Sequence, residues 1–309
     1  MTGDRSGEFG FIDWVRRQTP ANSRVVLGPG DDTAILRPQG DFPLLATTDM
    51  LLEGSCFLLE AGGRAIGRKA MAVNLSDMAA MAGRPTVALV SVGLPRQGGR
   101  PLAEELYSGL REMALAFDTS IAGGDTNTWN GPLTISVTLL GEATAKGAVR
   151  RSGATAGDWL LVTGPLGGSI RGKHLTFTPR VREAMRLHEL VDLHAMIDIS
   201  DGLAVDLHHV CEESGCGAEL NVENIPVTDD ARTMTDSRSP LEHALGDGED
   251  FELLFAVDAD AGHRLIESQP IAGLTLVHIG TCVERGIWLK RGGLREPLPP
   301  LGYVHEMSD

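Results

Sequence analysis

Short apolar runs in this chain repeatedly begin from or end in oxygen-rich turns, and that placement constrains it more than any other feature. Between Gly28 and Asp49 the sequence reads GPGDDTAIL, then a short polar turn, then PLLATTDM. Asp31 and Asp32 follow a Gly-Pro-Gly bend and lead into Ala34-Ile35-Leu36, while Thr47, Thr48 and Asp49 close the run Leu44-Leu45-Ala46. Two strands with carboxylates and hydroxyls at one end offer the hard oxygen donors that Mg²⁺ takes alongside water and substrate phosphates. Either stretch alone is equally an ordinary surface turn, because Gly, Pro, Asp and Thr are turn residues. The recurrence tips the balance. Asp125 follows Ser120-Ile121-Ala122 and Gly123-Gly124, Asp198 and Asp201 flank Ile199-Ser200, and Asp77 lies in a stretch of alanines and methionines. An Asp in such a stretch is costly to bury unpaired, so it faces water or meets a cation. Asp32, Asp49, Asp77, Asp125, Asp198 and Asp201 together exceed what one structural ion needs. Several Mg²⁺ ions bridging a polyphosphate, as phosphoryl transfer requires, use such a set.

The spacing of apolar residues predicts an alternation of helices and strands over 309 residues, a length that suits one large or two ordinary domains. Helices are expected over Glu8–Gln18, Gly62–Gly83, Leu102–Phe117, Arg180–Leu193 and Leu203–Ser214, with a helix start at Pro240–Ala244. Strands are expected at Val25–Leu27, Ala34–Leu36, Leu44–Thr48, Val87–Leu94, Ser120–Ala122 and Leu133–Glu142. Further strands are expected at Asp158–Thr163, Glu219–Val222, Phe251–Phe255, Leu274–Gly280 and Ile287–Lys290. The stretch from Ala143 to Asp158 is small, polar and basic, which places a domain boundary there and divides the chain into 1–145 and 146–309.

Composition excludes some partners. A net charge of −15 argues against a general nucleic-acid binder or an anionic-membrane binder, both of which need basic patches. It leaves room for a nucleotide recruited through metal. The cysteines Cys56, Cys211, Cys216 and Cys282 form no C-x-x-C pair, and the adjacent His208 and His209 point apart on a helix. The N-terminal residues lack an apolar signal core and no run approaches a membrane span, so a soluble cytoplasmic protein is expected. Gly167-x-x-x-x-Gly172-Lys173-His174 nearly spells a phosphate-binding loop. The hydroxyl such a loop needs after its lysine is replaced by His174, and Pro179 limits any following helix, so it is not assigned to phosphate.

In order along the chain stand LGPGDDTAIL, TTDMLLEGSCF, GRKAMAVNLSDMAAMAG, GGDT, RRSGATAGDWLLVTG, IDISDGLAVDL and GEDFELLF. Together they resemble the motifs of the thiamine-monophosphate kinases, in the aminoimidazole-ribonucleotide synthetase superfamily with selenophosphate synthetase and a hydrogenase-maturation protein. The resemblance implies a two-domain α/β (α+β) fold. Its N-terminal mixed sheet with helices dimerises and binds ATP and Mg²⁺, and its C-terminal α/β domain closes the active-site cleft. It implies Mg²⁺ ligands at Asp32, Thr47, Thr48, Asp49, Asp77, Asp125, Asp198 and Asp201. ATP contacts are implied at Gly124, Asp125, Arg151 and Ser200, and a contact of Glu249 with thiamine. The implied reaction moves the γ-phosphoryl of ATP directly onto thiamine monophosphate in a homodimer, without a general base. Three departures fall on the acceptor side. Cys56 stands where the family has a histidine, the segment between Gly164 and Asp198 is short, and the C-terminus keeps Tyr303 but loses a final Phe. Cys56, Glu249 and Tyr303 are the acceptor-side candidates. A related enzyme with another small acceptor and a nucleotide-binding protein without turnover are the alternatives.

Overall fold

The structure is a computed structural model, and it describes residues 14, 17, 18, 22–27, 35–36 and 43–303. Asp32 and most of the Gly28–Leu36 stretch therefore lie outside the described residues, as does most of the helix expected over Glu8–Gln18, of which Trp14, Arg17 and Gln18 are helical. The chain forms two compact units that divide near residue 147.

In the first unit, β1 (Val25–Leu27) and β2 (Ile35–Leu36) pair as a small antiparallel ribbon. Then follow β3 (Leu44–Leu52), α1 (Gly63–Ala80), β4 (Arg84–Pro95), α2 (Gly99–Ala116), β5 (Ser120–Trp129) and β6 (Thr134–Glu142). The larger sheet has the order β3-β6-β4-β5, with β4 and β5 parallel and the other pairs antiparallel. Ala and Met dominate α1, which is buried along most of its length, with Arg64 exposed in its first turn. It packs tightly against α2. A Cβ on Gly67 would run into the Leu106 carbonyl oxygen, and one on Gly109 into that of Arg64, so both glycines are required by the helix-to-helix approach.

Two strands run further than expected, and this moves the candidate ligands. β3 pairs with β6 residue for residue from Leu44 opposite Glu142 to Leu52 opposite Thr134. Thr47, Thr48 and Asp49 thus sit within a strand rather than at its end. β5 likewise continues through Gly123-Gly124-Asp125-Thr126 to Trp129. Gly124 is needed there because a side chain would strike the Val90 carbonyl oxygen on β4. In both places pairing along a long neighbour overrides the turn preference of Asp and Gly.

The second unit contains β7 (Trp159–Val162), α3 (Lys173–Thr176), α4 (Val181–Leu190), β8 (Leu193–Asp198), α5 (Leu203–Ser214) and β9 (Gly217–Asn221). After these come α6 (Asp229–Arg232), α7 (Pro240–Gly246), β10 (Leu253–Val257), α8 (Ala259–Ser268), β11 (Val277–Val283), β12 (Ile287–Arg291) and β13 (Leu294–Pro297). The sheet order is β13-β12-β9-β11-β7-β10-β8, mixed because β12 and β9 are parallel. Leu160, Val162, Ile197, Leu207, Leu254 and Ile279 are among its core. α7 starts on a capping box, with the Ser239 hydroxyl accepting the Glu242 N–H while the Glu242 carboxylate accepts the Ser239 N–H. The helix expected to reach Leu193 ends at Leu190, since Leu193 to Asp198 pairs with β10. α3, α6, α8 and β13 lie outside the elements expected from the sequence, although α8 is amphipathic and opens on an Asp258 cap. The architecture is a mixed α/β fold in two units. Among the described residues no helix is long and apolar enough to cross a membrane.

Candidate active site

In the first unit, alternation along β3 turns Thr47 and Asp49 toward the covered face of the sheet and Thr48 toward the open one. The Thr47 hydroxyl donates to Asp77 Oδ2 on α1 at 2.5 Å, joining strand and helix through two candidate ligands. One helical turn before Asp77, Asn74 donates from Nδ2 to the Ala70 carbonyl at 3.1 Å, while its Oδ1 is buried without a hydrogen-bond donor. A buried amide oxygen one helical turn from the Asp77 carboxylate is the kind of hard donor a divalent cation accepts. On the open face Thr48 Oγ1 donates to the Val137 carbonyl at 3.1 Å and lies 3.0 Å from Thr138 Oγ1.

Asp125 does not share Asp49's face. Asp49 is in register with Val137, Val90 and Gly124, whereas Asp125 is in register with Ser91, Ser136 and Met50, one position further along. Gly124 and Asp125 are both exposed, and Asn127 Nδ2 donates to Asp125 Oδ2 at 2.9 Å. Cys56 is half-buried in the turn after β3, where its carbonyl accepts from Lys69 Nζ at 2.5 Å. Lys69 is fully buried, so a whole ammonium is committed behind that turn.

In the second unit, Asp198 ends β8, and Ser200, Asp201 and Gly202 form the bend that opens α5. The Glu249 N–H donates to the Ser200 carbonyl at 2.6 Å, the Phe251 N–H to the Ile199 carbonyl at 2.8 Å, and the Tyr303 N–H to the Asp201 carbonyl at 3.0 Å. The backbone thereby brings Glu249 and Tyr303 against the Asp198–Asp201 bend. Arg151 is exposed on a stretch that runs along the outer edge of β8, where the Arg150 carbonyl accepts the Met196 N–H at 2.9 Å.

Asp206 escaped the sequence reading. It is buried in the first turn of α5 and accepts N–H groups from Asp201 at 3.2 Å and Gly202 at 3.1 Å. Burial, then the charges of Asp198 and Asp201, push its pKa up to about 8. The signal that singled out Asp77, an acid within an apolar helical run, was present here as well. A cation bound at this bend would offset the charges of Asp198 and Asp201 that act on Asp206. Among the described residues no group of three or more His, Cys, Asp and Glu converges as a ready-made cage. Mg²⁺ is commonly held by one or two carboxylates plus water and substrate phosphates, and pairs of donors meet that need.

The segment that resembles a phosphate loop is filled by the chain's own acids. The Gly167 N–H donates to both oxygens of Asp250 at 2.9 and 3.0 Å, and the Gly168 N–H to Asp247 Oδ2 at 2.7 Å. Lys173 Nζ lies 3.0 Å from Glu252 Oε1.

Two families match the chain: AIR synthase related protein, N-terminal domain, over residues 30–143, and AIR synthase related protein, C-terminal domain, over residues 147–287. The chain is 41% identical over 314 residues to a thiamine-monophosphate kinase of Rhodopirellula baltica, covering 98% of each. It superposes on the crystal structure of a thiamine-monophosphate kinase from Stenotrophomonas maltophilia with a TM-score of 0.79 at 33% identity, over 92% of this chain and 96% of that one. A ThiL protein complexed with AMPPCP and TMP gives a TM-score of 0.75 at 27% identity, over 99% of both.

Burial raises the Asp250 carboxyl from 3.8 to about 7 against the lowering effects of Lys173 and the Gly167 N–H. A carboxyl raised on folding contributes stability below its unfolded pKa, and that contribution is lost as pH rises through the folded one. Thermal unfolding of the metal-free protein is therefore expected to show Asp250→Asn gaining on the parent as pH goes from about 4 to about 7. A melting-temperature difference constant over that window would contradict the assignment.

Proposed function

The chain belongs to the thiamine-monophosphate kinase family of AIR synthase related proteins, and from that premise we propose how its residues carry the reaction. It phosphorylates thiamine monophosphate to thiamine diphosphate with ATP as phosphoryl donor. The attacking atom is an oxygen of the acceptor's phosphate, already an anion, so no side chain has to remove a proton. Catalysis is then alignment of the two phosphates, in line, together with neutralisation of their charge.

Mg²⁺ ligands are proposed at Asp32, Thr47, Thr48, Asp49, Asp77, Asp125, Asp198 and Asp201, where the bound ion supplies that neutralisation. The opposed faces of the first sheet divide these donors, with Thr47, Asp49 and Asp77 as one group and Thr48 and Asp125 as another. Gly124, Asp125, Arg151 and Ser200 are assigned to ATP. Gly124 leaves backbone open to a phosphate, and the Arg151 fork suits phosphate oxygens. Cys56, Glu249 and Tyr303 are assigned to the acceptor. Thiazolium carries a fixed positive charge, for which a carboxylate and an aromatic face are suitable partners. The observation that carries this reading is the pair of backbone hydrogen bonds tying Glu249 to Ser200 and Tyr303 to Asp201. They support an acceptor carboxylate and ring standing beside the metal-side acids.

Residues 1–145 are assigned to ATP, Mg²⁺ and pairing of two copies, and residues 146–309 to the C-terminal share of the site. Leu44, Met50 and Leu52 support the pairing, being 67%, 62% and 43% exposed on the open face of β3. Sedimentation at micromolar concentration is expected to give a dimer through this face. A fully active monomer would overturn it.

Two variants separate the metal and acceptor assignments. Asp77→Asn is expected to lower kcat by about a hundred-fold or more at saturating Mg²⁺. Glu249→Gln is expected to raise KM for thiamine monophosphate by about ten-fold with KM for ATP nearly unchanged. Near-normal turnover in the first removes the metal assignment, and an unchanged acceptor KM in the second removes Glu249 from the acceptor site.

A further inference from the structure

The turn that presents Glu249 has an unusual backbone. Gly248, Glu249 and Phe251 all have left-handed φ values, +72°, +53° and +50°. Glycine adopts this region freely, but Glu and Phe do so only where their surroundings leave no alternative. On one side the hydrogen bonds to Ile199 and Ser200 hold the turn. On the other, its partners come from residues 167–180, the segment that resembles a phosphate loop.

Asp250, between the two left-handed non-glycine residues, is fully buried, and both its oxygens accept the Gly167 N–H. Ser169 Oγ donates to the Gly248 carbonyl at 2.6 Å. Phe251 stacks on Phe177 with ring centroids 4.1 Å apart. Lys173 Nζ stands 4.0 Å from Asp250 Oδ1 and 3.0 Å from Glu252 Oε1, and Arg180 grips Glu252 with two nitrogens at 2.8 and 2.9 Å. Thr163 Oγ1 closes the group with a bond to Glu252 Oε2 at 2.7 Å. A buried charge group with each member paired has one arrangement, and strain in an adjoining turn persists only against such a fixed support.

We propose that Lys173 and Asp250 are positioning residues for the acceptor, a strut that holds the backbone of Glu249 in the conformation that meets the cationic ring of thiamine monophosphate. This rests on the acceptor role assigned to Glu249. The strut acts on acceptor affinity through the turn and leaves ATP affinity alone, which is the reverse of what a phosphate-loop lysine does. Loss of the Lys173 ammonium removes the cation that bridges Asp250 and Glu252 behind the turn, and the turn relaxes toward ordinary φ values.

The test is a double-mutant cycle in the full-length enzyme, using Lys173→Met, Glu249→Gln and the double variant, with KM measured separately for thiamine monophosphate and ATP. Lys173→Met is expected to raise KM for thiamine monophosphate by about five- to ten-fold and to change that for ATP by less than about two-fold. Lys173→Arg restores most of the loss, because a cation returns to the same acids. The double variant is expected to match Glu249→Gln alone, since a strut has nothing left to position. Additive effects, or a comparable rise in KM for ATP, overturn the strut. If Glu249→Gln by itself leaves the acceptor KM unchanged, the acceptor assignment fails, and the strut fails with it. Asp250→Asn provides a second arm and is expected to show the same selective rise in acceptor KM. An Asp250→Asn enzyme that folds and keeps the parent acceptor KM counts against the strut.

Discussion

The interaction on which the second unit depends is the continuation of backbone pairing beyond the end of β8 and β10. Within the strands, Leu253 lies opposite Asp198. Past them the ladder persists, with the Ile199 N–H donating to the Glu252 carbonyl at 2.8 Å, Phe251 to Ile199 and Glu249 to Ser200. These bonds bend one chain into the start of α5 and the other into a left-handed turn. Acids from two distant parts of the sequence arrive at one place through these backbone bonds, in keeping with the near-universal pairing of backbone groups away from water. Tyr303 is added by the same means, through Asp201. Main-chain hydrogen bonds thus fix the positions from which these side chains project.

In the first unit the equivalent constraint is steric. The buried helix α1 approaches α2 closely through Gly67 and Gly109, and further along α1 Asp77 accepts the Thr47 hydroxyl of β3. Charge is then concentrated on an apolar scaffold at the cost of leaving Asn74 Oδ1 without a donor. A bound cation would complete that coordination.

Much of this was legible in the sequence, and the failures have physical causes. The helix from Leu203 to Ser214, ended by Gly215 in the left-handed region, carries its own punctuation, as does Pro240 behind Ser239. The near-match to a phosphate loop was set aside on one missing hydroxyl, and its N–H groups and lysine prove to be engaged by Asp247, Asp250 and Glu252. What local sequence could not reveal was where strands stop. Asp49 and Asp125 look like turn residues, yet each lies within a long strand because β6 and β4 continue alongside. That difference sets the face each acid occupies, which the spacing of the motif leaves undetermined. The seven ordered motifs supplied the candidate site residues, which stand as proposals. Asp206, inside one of those motifs, became visible only when its buried contacts to Asp201 and Gly202 were seen.

The central claim is that the bend at Asp198–Asp201, the turn at Gly248–Phe251 and Tyr303 form one binding unit. Hydrogen exchange of the enzyme with Mg²⁺, a non-hydrolysable ATP analogue and thiamine monophosphate tests it directly. The account predicts that adding the acceptor to the nucleotide-bound enzyme slows exchange at 199–203, 247–251 and 301–303 together. Protection confined to one of these segments, or found only elsewhere in the chain, would contradict it.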